Sequence, residues 1–216
     1  MPLDSAWFLA VNHWARATPA LHGVSSIYAL WLGPVLIALL LVVGWLRARA
    51  RPDATGQVAV VVLTGVAAVV AVLVNQNVVS TVIGRARPCA AMPDVQVLLS
   101  CSADYSMPSD HAVIAGALVV GLWIRQRRLG VVAAVLALLL AFSRVYVGVH
   151  YPSDVAVGLL FGAAVAASVV LGLRGPATAL AGRLLDTSLR PLIRSGREVG
   201  SGQALPGSAS RPARRR

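Results

Sequence analysis

The chain reads as an all-α integral membrane protein, a bundle of about five to six transmembrane helices led by an amphipathic interfacial helix. Two observations carry this reading. Of its 216 residues, 57% are hydrophobic and 12% charged, with mean hydropathy +0.76, a balance soluble domains rarely reach. The charges that remain gather at the ends of the apolar runs, where cationic side chains reach water or headgroups.

Leu3, Trp7, Ala10, Val11 and Trp14 recur at helical spacing, opposite Asp4 and Asn12. Segment 1–22 is too short to cross a bilayer and is expected to lie in its interface. It lacks the basic start and short apolar core of a cleavable signal, so it is expected to be retained. Apolar runs then follow at 24–46, 58–80, 112–124, 131–142 and 155–173, within a transmembrane domain spanning 23–174. Segment 175–216 mixes Leu180, Leu184, Leu185, Leu192 and Ile193 with Arg183, Arg190 and Arg194. That predicts a basic cytoplasmic tail: a helix on the inner leaflet, broken at Pro191, then a disordered arginine-rich end.

All 19 basic residues are arginine, and the formal net charge is +11. In a soluble protein this would point to nucleic acid. Here Arg47, Arg49 and Arg51 follow the first run, and Arg125, Arg127 and Arg128 separate the third from the fourth. The remaining large group starts at Arg174. Placing these three groups inside leaves only Arg16, Arg85, Arg87 and Arg144 outside, with the N-terminus out and an odd number of spans. Positive-inside topology and anionic lipid headgroups account for the charge, so no nucleic-acid partner is expected. Trp45 and Trp123 beside the arginine groups fit an aromatic belt.

The third and fourth runs are short. From His111 to Arg125, and from Arg128 to Arg144, the rise is only ~21 and ~24 Å against a hydrocarbon core of ~30 Å. His111 and Arg144 are therefore expected at similar depth, below the outer surface, where they can meet. Ionisable groups at such depth mark function by default. Asp154 lies four residues after His150, so a helix starting near Pro152 stacks the two. A carboxylate on one ring nitrogen fixes the tautomer and raises the basicity of the other, and an imidazole so prepared can attack phosphorus. Arg144, Arg85 and Arg87 bring permanent charge for phosphoryl oxygens, and His111 is placed to protonate a leaving oxygen. With arginines supplying charge and no carboxylate cluster in the sequence, neither metal nor other cofactor is expected. Arg85 alternatively snorkels to headgroups. Asn75 and Gln76 are read as interhelical hydrogen-bonding groups, and Gly158, Gly162 and Ala166 as a packing stripe. Cys89 and Cys101 flank one outer loop and either pair or remain two small unpaired residues.

Three segments in order carry a family resemblance: Arg87-Pro88, Pro108-Ser109-Asp110-His111, and Ser143-Arg144 followed by His150 and Asp154. They resemble the type 2 phosphatidic acid phosphatase superfamily, integral membrane phosphatases that share a site architecture with vanadium haloperoxidases. The resemblance covers about 80–154. It implies His150 as nucleophile, Asp154 as its orienter, His111 as general acid, and Arg87, Arg144 and Ser109 as phosphate ligands. Two positions depart from the signature: Ser80 stands where lysine is expected, and Asp110 where glycine is. Ser80 and Asp110 are carried as phosphate-site residues, with Arg85 as compensating charge. Pro-Ser-Asp-His is similar to the bacitracin-resistance type of undecaprenyl pyrophosphate phosphatase. The implied reaction is hydrolysis of a polyprenyl diphosphate to the monophosphate through a phosphohistidine, at the outer face of the bacterial cytoplasmic membrane. Alternatives are phosphatidic acid, phosphatidylglycerol phosphate or another prenyl phosphate as substrate. Further off lie a non-catalytic lipid-binding or transport bundle and vanadium-dependent peroxidase chemistry.

Overall fold

The computed structural model describes residues 2–195, with no strand among them. Helix α1 covers Pro2–Ala17, and α2 covers Pro19–Arg49, including a π turn at Tyr28–Leu32. Thr18 separates them because its hydroxyl turns back to the Trp14 carbonyl (2.8 Å) and pairs with the Tyr146 hydroxyl (2.7 Å). Pro19 then opens the next helix, where a missing N–H is harmless. Helix α3 (Ala54–Val74) is prolonged by a π turn (Asn75–Val79) and a last turn (Ser80–Ile83). A short α4 (Pro88–Ala91), α5 (Asp110–Arg125), α6 (Arg127–Tyr146), α7 (Pro152–Leu184) and a short α8 (Arg190–Ile193) follow.

Four segments are long and apolar enough to cross a membrane: Pro19–Arg49, Ala54–Ala91, Arg127–Tyr146 and Pro152–Leu184. The 16-residue α5 sits between α7, α6 and α3, so protein rather than lipid covers most of it and its short length suffices. Helix α6 takes in the flanking Arg127 and Tyr146 and is 20 residues long, not the short span its apolar run predicts.

The α5–α7 crossing fixes the site. A Cβ on Gly162 would stand 1.9 Å from the Val113 carbonyl oxygen, and one on Gly116 2.1 Å from that of Leu159. Backbone thus meets backbone, as small residues in membrane helices allow. At the upper end of this crossing the Ser109 N–H donates to the Asp154 carbonyl (3.1 Å), bringing the starts of α5 and α7 together.

The sequence reading needs correction at the C-terminal end, whereas α1 shows the amphipathic pattern. In α1, Phe8, Asn12 and Ala15 are buried, while Leu3, Trp7 and Trp14 are exposed. The apolar stripe faces outward, as a lipid-contacting helix requires, and the polar Asp4 and Asn12 face the protein. Asn12 exchanges two hydrogen bonds with the Gln96 backbone (2.7 and 2.9 Å). At the other end, α7 does not stop at 173 but runs through Pro176 to Leu184. Space around Gly172 and Gly175 is open, and the Thr178 hydroxyl satisfies the Arg174 carbonyl (2.7 Å). Pro191 lies in the first turn of α8, where it starts rather than breaks a helix. That helix returns to α2: Trp45 Nε1 donates to the Leu192 carbonyl (3.0 Å) and Ser195 N–H to that of Arg49 (3.0 Å). The arginine-rich end expected to be disordered lies outside the described residues.

Candidate active site

A cavity of about 280 Å³ is bounded by Arg87, Asp104, Asp110, His111, Arg144 and His150, with Leu30, Leu99 and Val149 as its main apolar wall. Two larger hollows exist: a basic one of about 640 Å³ at the opposite end of α5, and an apolar groove of about 540 Å³ between α2 and α3. Neither contains a group able to attack phosphorus or to exchange a proton near neutral pH, whereas the smaller cavity holds two histidines between two arginines.

His150 lies in the turn between α6 and α7. That turn needs Gly148, whose φ of +84° belongs to the left-handed region and whose missing Cβ would stand 2.3 Å from the Gln96 carbonyl oxygen. His150 is 1% exposed. Its Nδ1 is 2.9 Å from the Ser106 carbonyl, an acceptor only, so Nδ1 carries the proton and Nε2 keeps its lone pair. Nε2 points to Arg87, whose Nη1 donates to it at 3.0 Å. Burial pushes the imidazole below the usual histidine value; Asp154 opposes that shift, and the charges of Arg144 and Arg87 add to it. The ring is therefore neutral at neutral pH.

Arg87 precedes α4. Besides His150 it binds the Val149 carbonyl through Nη1 (3.1 Å) and the Asp104 carboxylate through Nε and Nη2 (3.1 and 2.9 Å). Burial raises the Asp104 carboxyl, but hydrogen bonds from Arg87 and Ser102 outweigh it and hold the group below its ordinary value. Asp104 occupies the planar fork of Arg87, a geometry suited to bidentate oxyanions. Arg144, near the end of α6, is buried, and its Nε has no partner. His111 and Asp110 enter from the first turn of α5, with Asp110 held by Asn75 (2.7 Å) and Gln76 (2.8 Å) from α3. His111 and Arg144, expected at one depth, do share this cavity. Cys89 and Cys101 form a disulfide that ties α4 to the loop bearing Asp104.

Three expected site residues sit elsewhere. Arg85 does not line the cavity and does not reach for headgroups: it bridges Asp4 (2.6 Å) and Asp154 (2.8 Å) and lies 3.8 Å above the Tyr151 ring. Ser80 donates to the Gln76 carbonyl (3.3 Å) within its own helix. Ser109 is fully buried, and its hydroxyl has no partner, at the start of α5 beside His111. The expected His150–Asp154 hydrogen bond is also absent. Asp154 Oδ2 stands 3.6 Å from Nδ1 and accepts instead from the Ser106 hydroxyl and the Tyr151 N–H. Asp154 acts on the ring through its charge and through Ser106.

A family description, the PAP2 superfamily, matches residues 56–175, more than half of the chain and all of the residues that bound the cavity except Leu30. The chain belongs to the PAP2 superfamily. Two curated relatives are the bacitracin transport permease protein BcrC of Bacillus licheniformis and the undecaprenyl-diphosphatase BcrC of Bacillus subtilis. The first is 32% identical over 126 residues, covering 58% of this chain and 59% of that protein. The second is 38% identical over 93 residues, covering 43% and 46%. The chain thus matches about half the length of these curated relatives. The crystal structure of Aquifex aeolicus LpxE superposes with TM-score 0.60 over 79% of this chain and 95% of that one, at 24% identity, and establishes the shared fold. This PAP2 chain is accordingly an all-helical membrane member of a lipid phosphatase family.

Sequence reasoning missed Ser106, Asp104 and Asp4. Asp104 carried one available signal: it is an acid between the two motifs that hold all of the site's cations. Ser106 acts largely through its main-chain carbonyl, which no residue type announces.

Proposed function

We propose that this PAP2 protein hydrolyses a polyprenyl diphosphate, with undecaprenyl diphosphate as the first candidate, to the monophosphate and inorganic phosphate. The carrying observation is the neutral, buried His150, whose Nε2 lone pair accepts only from Arg87 and faces a cavity that also holds Arg144 and His111.

Nε2 attacks the terminal phosphorus, and the bond from phosphorus to the bridging oxygen breaks. His111 gives its proton to that oxygen, releasing the lipid monophosphate. Water then attacks the phosphohistidine, with His111 taking its proton, and phosphate leaves. Arg87 and Arg144 neutralise the phosphoryl oxygens, so no metal is required. For this, the diphosphate displaces Asp104 from the Arg87 fork. Leu30, which lines the cavity and is also exposed on the outer surface of α2, offers the lipid tail a lateral path. The Arg47 and Arg125 groups at the other end of the bundle support an extracytoplasmic cavity by the positive-inside rule.

The name of the Bacillus subtilis relative and the Pro-Ser-Asp-His segment favour the prenyl diphosphate over glycerolipid phosphates. The test is phosphate release by purified protein from undecaprenyl diphosphate, phosphatidic acid and phosphatidylglycerol phosphate, with and without EDTA. The expected result is turnover fastest on the diphosphate, unaffected by EDTA and lost in His150→Ala. An active alanine variant, chelator-sensitive turnover or faster turnover of a glycerolipid phosphate would overturn it.

A further inference from the structure

We propose that Asp4 and Arg85 are positioning residues for the His150–Asp154 pair, which makes α1 part of the reacting centre; this rests on the reading of His150 as nucleophile. Asp154 is completely buried, and a buried carboxylate without a partner is costly. Its Oδ1 accepts from Arg85 Nη1 at 2.8 Å, leaving Oδ2 for the Ser106 hydroxyl, the Tyr151 N–H and the face of His150. The guanidinium is fixed in turn: Nη2 donates to Asp4 Oδ2 (2.6 Å), Nη1 to the Ser153 hydroxyl (2.7 Å), and the Tyr151 ring lies beneath it. Asp4 also accepts the Ser153 N–H at 2.9 Å. Asp4, Tyr151, Ser153 and Asp154, from two parts of the chain, close around Arg85, and none of them lines the phosphate cavity.

The consequence is electrostatic as well as geometric. Asp4, Arg85 and Asp154 alternate in charge and together leave one negative charge behind the Nδ1 side of His150. That charge supports the imidazolium character that develops as Nε2 bonds to phosphorus. The other charged or titratable groups facing His150 are Arg87 before α4, Arg144 of α6, His111 and Asp110 of α5, and Asp104 of the loop, all on the cavity side. α2 presents only Leu30 there. Removing Asp4 leaves Arg85 and Asp154 to cancel, and the field behind His150 weakens. Removing Arg85 leaves two carboxylates, and it strengthens. Opposite signs are expected from two residues in one contact.

The test follows the His150 ring by nitrogen NMR in the full-length ¹⁵N-histidine protein in detergent micelles, for wild type, Asp4→Asn, Asp4→Glu and Arg85→Gln. Asp4→Asn is expected to move the His150 titration to lower pH by about half a unit, and Arg85→Gln to move it up by a similar amount. Asp4→Glu restores the wild-type value. In turnover, Asp4→Asn lowers kcat with KM within about two-fold, because it leaves the cavity-facing arginines in place. A variant that only unseats α1 would hydrate the ring and raise its titration in both cases. Shifts of the same sign, or none, overturn the positioning role. The two readings fail separately: an active His150→Ala strikes the nucleophile and leaves opposite NMR shifts standing, whereas equal-sign shifts with an inactive His150→Ala strike only the positioning role.

Discussion

The Ser106 carbonyl and the His150 Nδ1 are 2.9 Å apart, closer than any carboxylate approaches that nitrogen. A main-chain acceptor therefore sets the tautomer, and Asp154 holds the residue that supplies it. Ser106→Ala keeps the carbonyl and deletes the hydroxyl that Asp154 uses. It is expected to cost about 1.5–3 kcal/mol of stability, the range for a buried hydrogen bond to a charged group, and about ten-fold in kcat. Thermal melts and phosphate release measure both; loss as complete as in His150→Ala would show that the hydroxyl, not the carbonyl, governs the ring.

The acid limb of kcat/KM reports His150 in the free protein. Because burial lowers its folded value, the nucleophile is expected to stay unprotonated below pH ~6.5, where a free imidazole is already half charged. The linkage has a matching sign: the unfolded chain binds more protons in that window, so stability falls as pH drops below ~6.5. A limb centred above that value contradicts a buried neutral imidazole.

Asp104 competes for Arg87. Asp104→Asn removes the carboxylate from the fork, so orthovanadate, a tetrahedral anion, is expected to inhibit at several-fold lower concentration. Weaker inhibition would instead assign Asp104 the task of orienting the guanidinium.

Helix contact at the α5–α7 crossing tolerates no methyl group. Gly162→Ala is expected to destabilise by about 1–3 kcal/mol or more, since the added Cβ meets a carbonyl oxygen that cannot rotate away. Gly172→Ala, with open space around it, is the control and is expected to be neutral or slightly stabilising. Melting in detergent separates the two.

Reduction of the Cys89–Cys101 disulfide, which closes a segment with sequence separation 12, is expected to cost about 3 kcal/mol. Because the bridged segment runs from just after Arg87 to just before Asp104, turnover should fall with it. A reductant titration read by both melting and phosphate release tests this; unchanged turnover after full reduction would mean that other contacts hold the loop.

Much of this arrangement was legible before any coordinates. The apolar runs and arginine groups point to a helical membrane bundle, and the spacing of His111 and Arg144 from their arginine neighbours brings both to one level, where they share a cavity. What stayed hidden depends on which distant segments touch. Charge beside Arg87-Pro88 suggests that Arg85 binds phosphate or snorkels to headgroups, yet Asp4, more than 80 positions earlier, claims its guanidinium. Asp154 was expected on His150 from an i to i+4 spacing, but helix α7 begins only after His150, so the regular stacking does not reach back to the ring. The extension of α7 past Pro176 was hidden for another reason: an internal proline normally ends a helix, yet α7 continues through it.

Gly148 brings the Gln96 backbone to within van der Waals reach of the turn bearing His150. The gap between that turn and the facing loop is thus gauged by a single hydrogen atom. Any substituent at that spot pushes outward on the segment that carries Asp104 and Ser106, so the dimensions of the cavity depend on a position outside its lining.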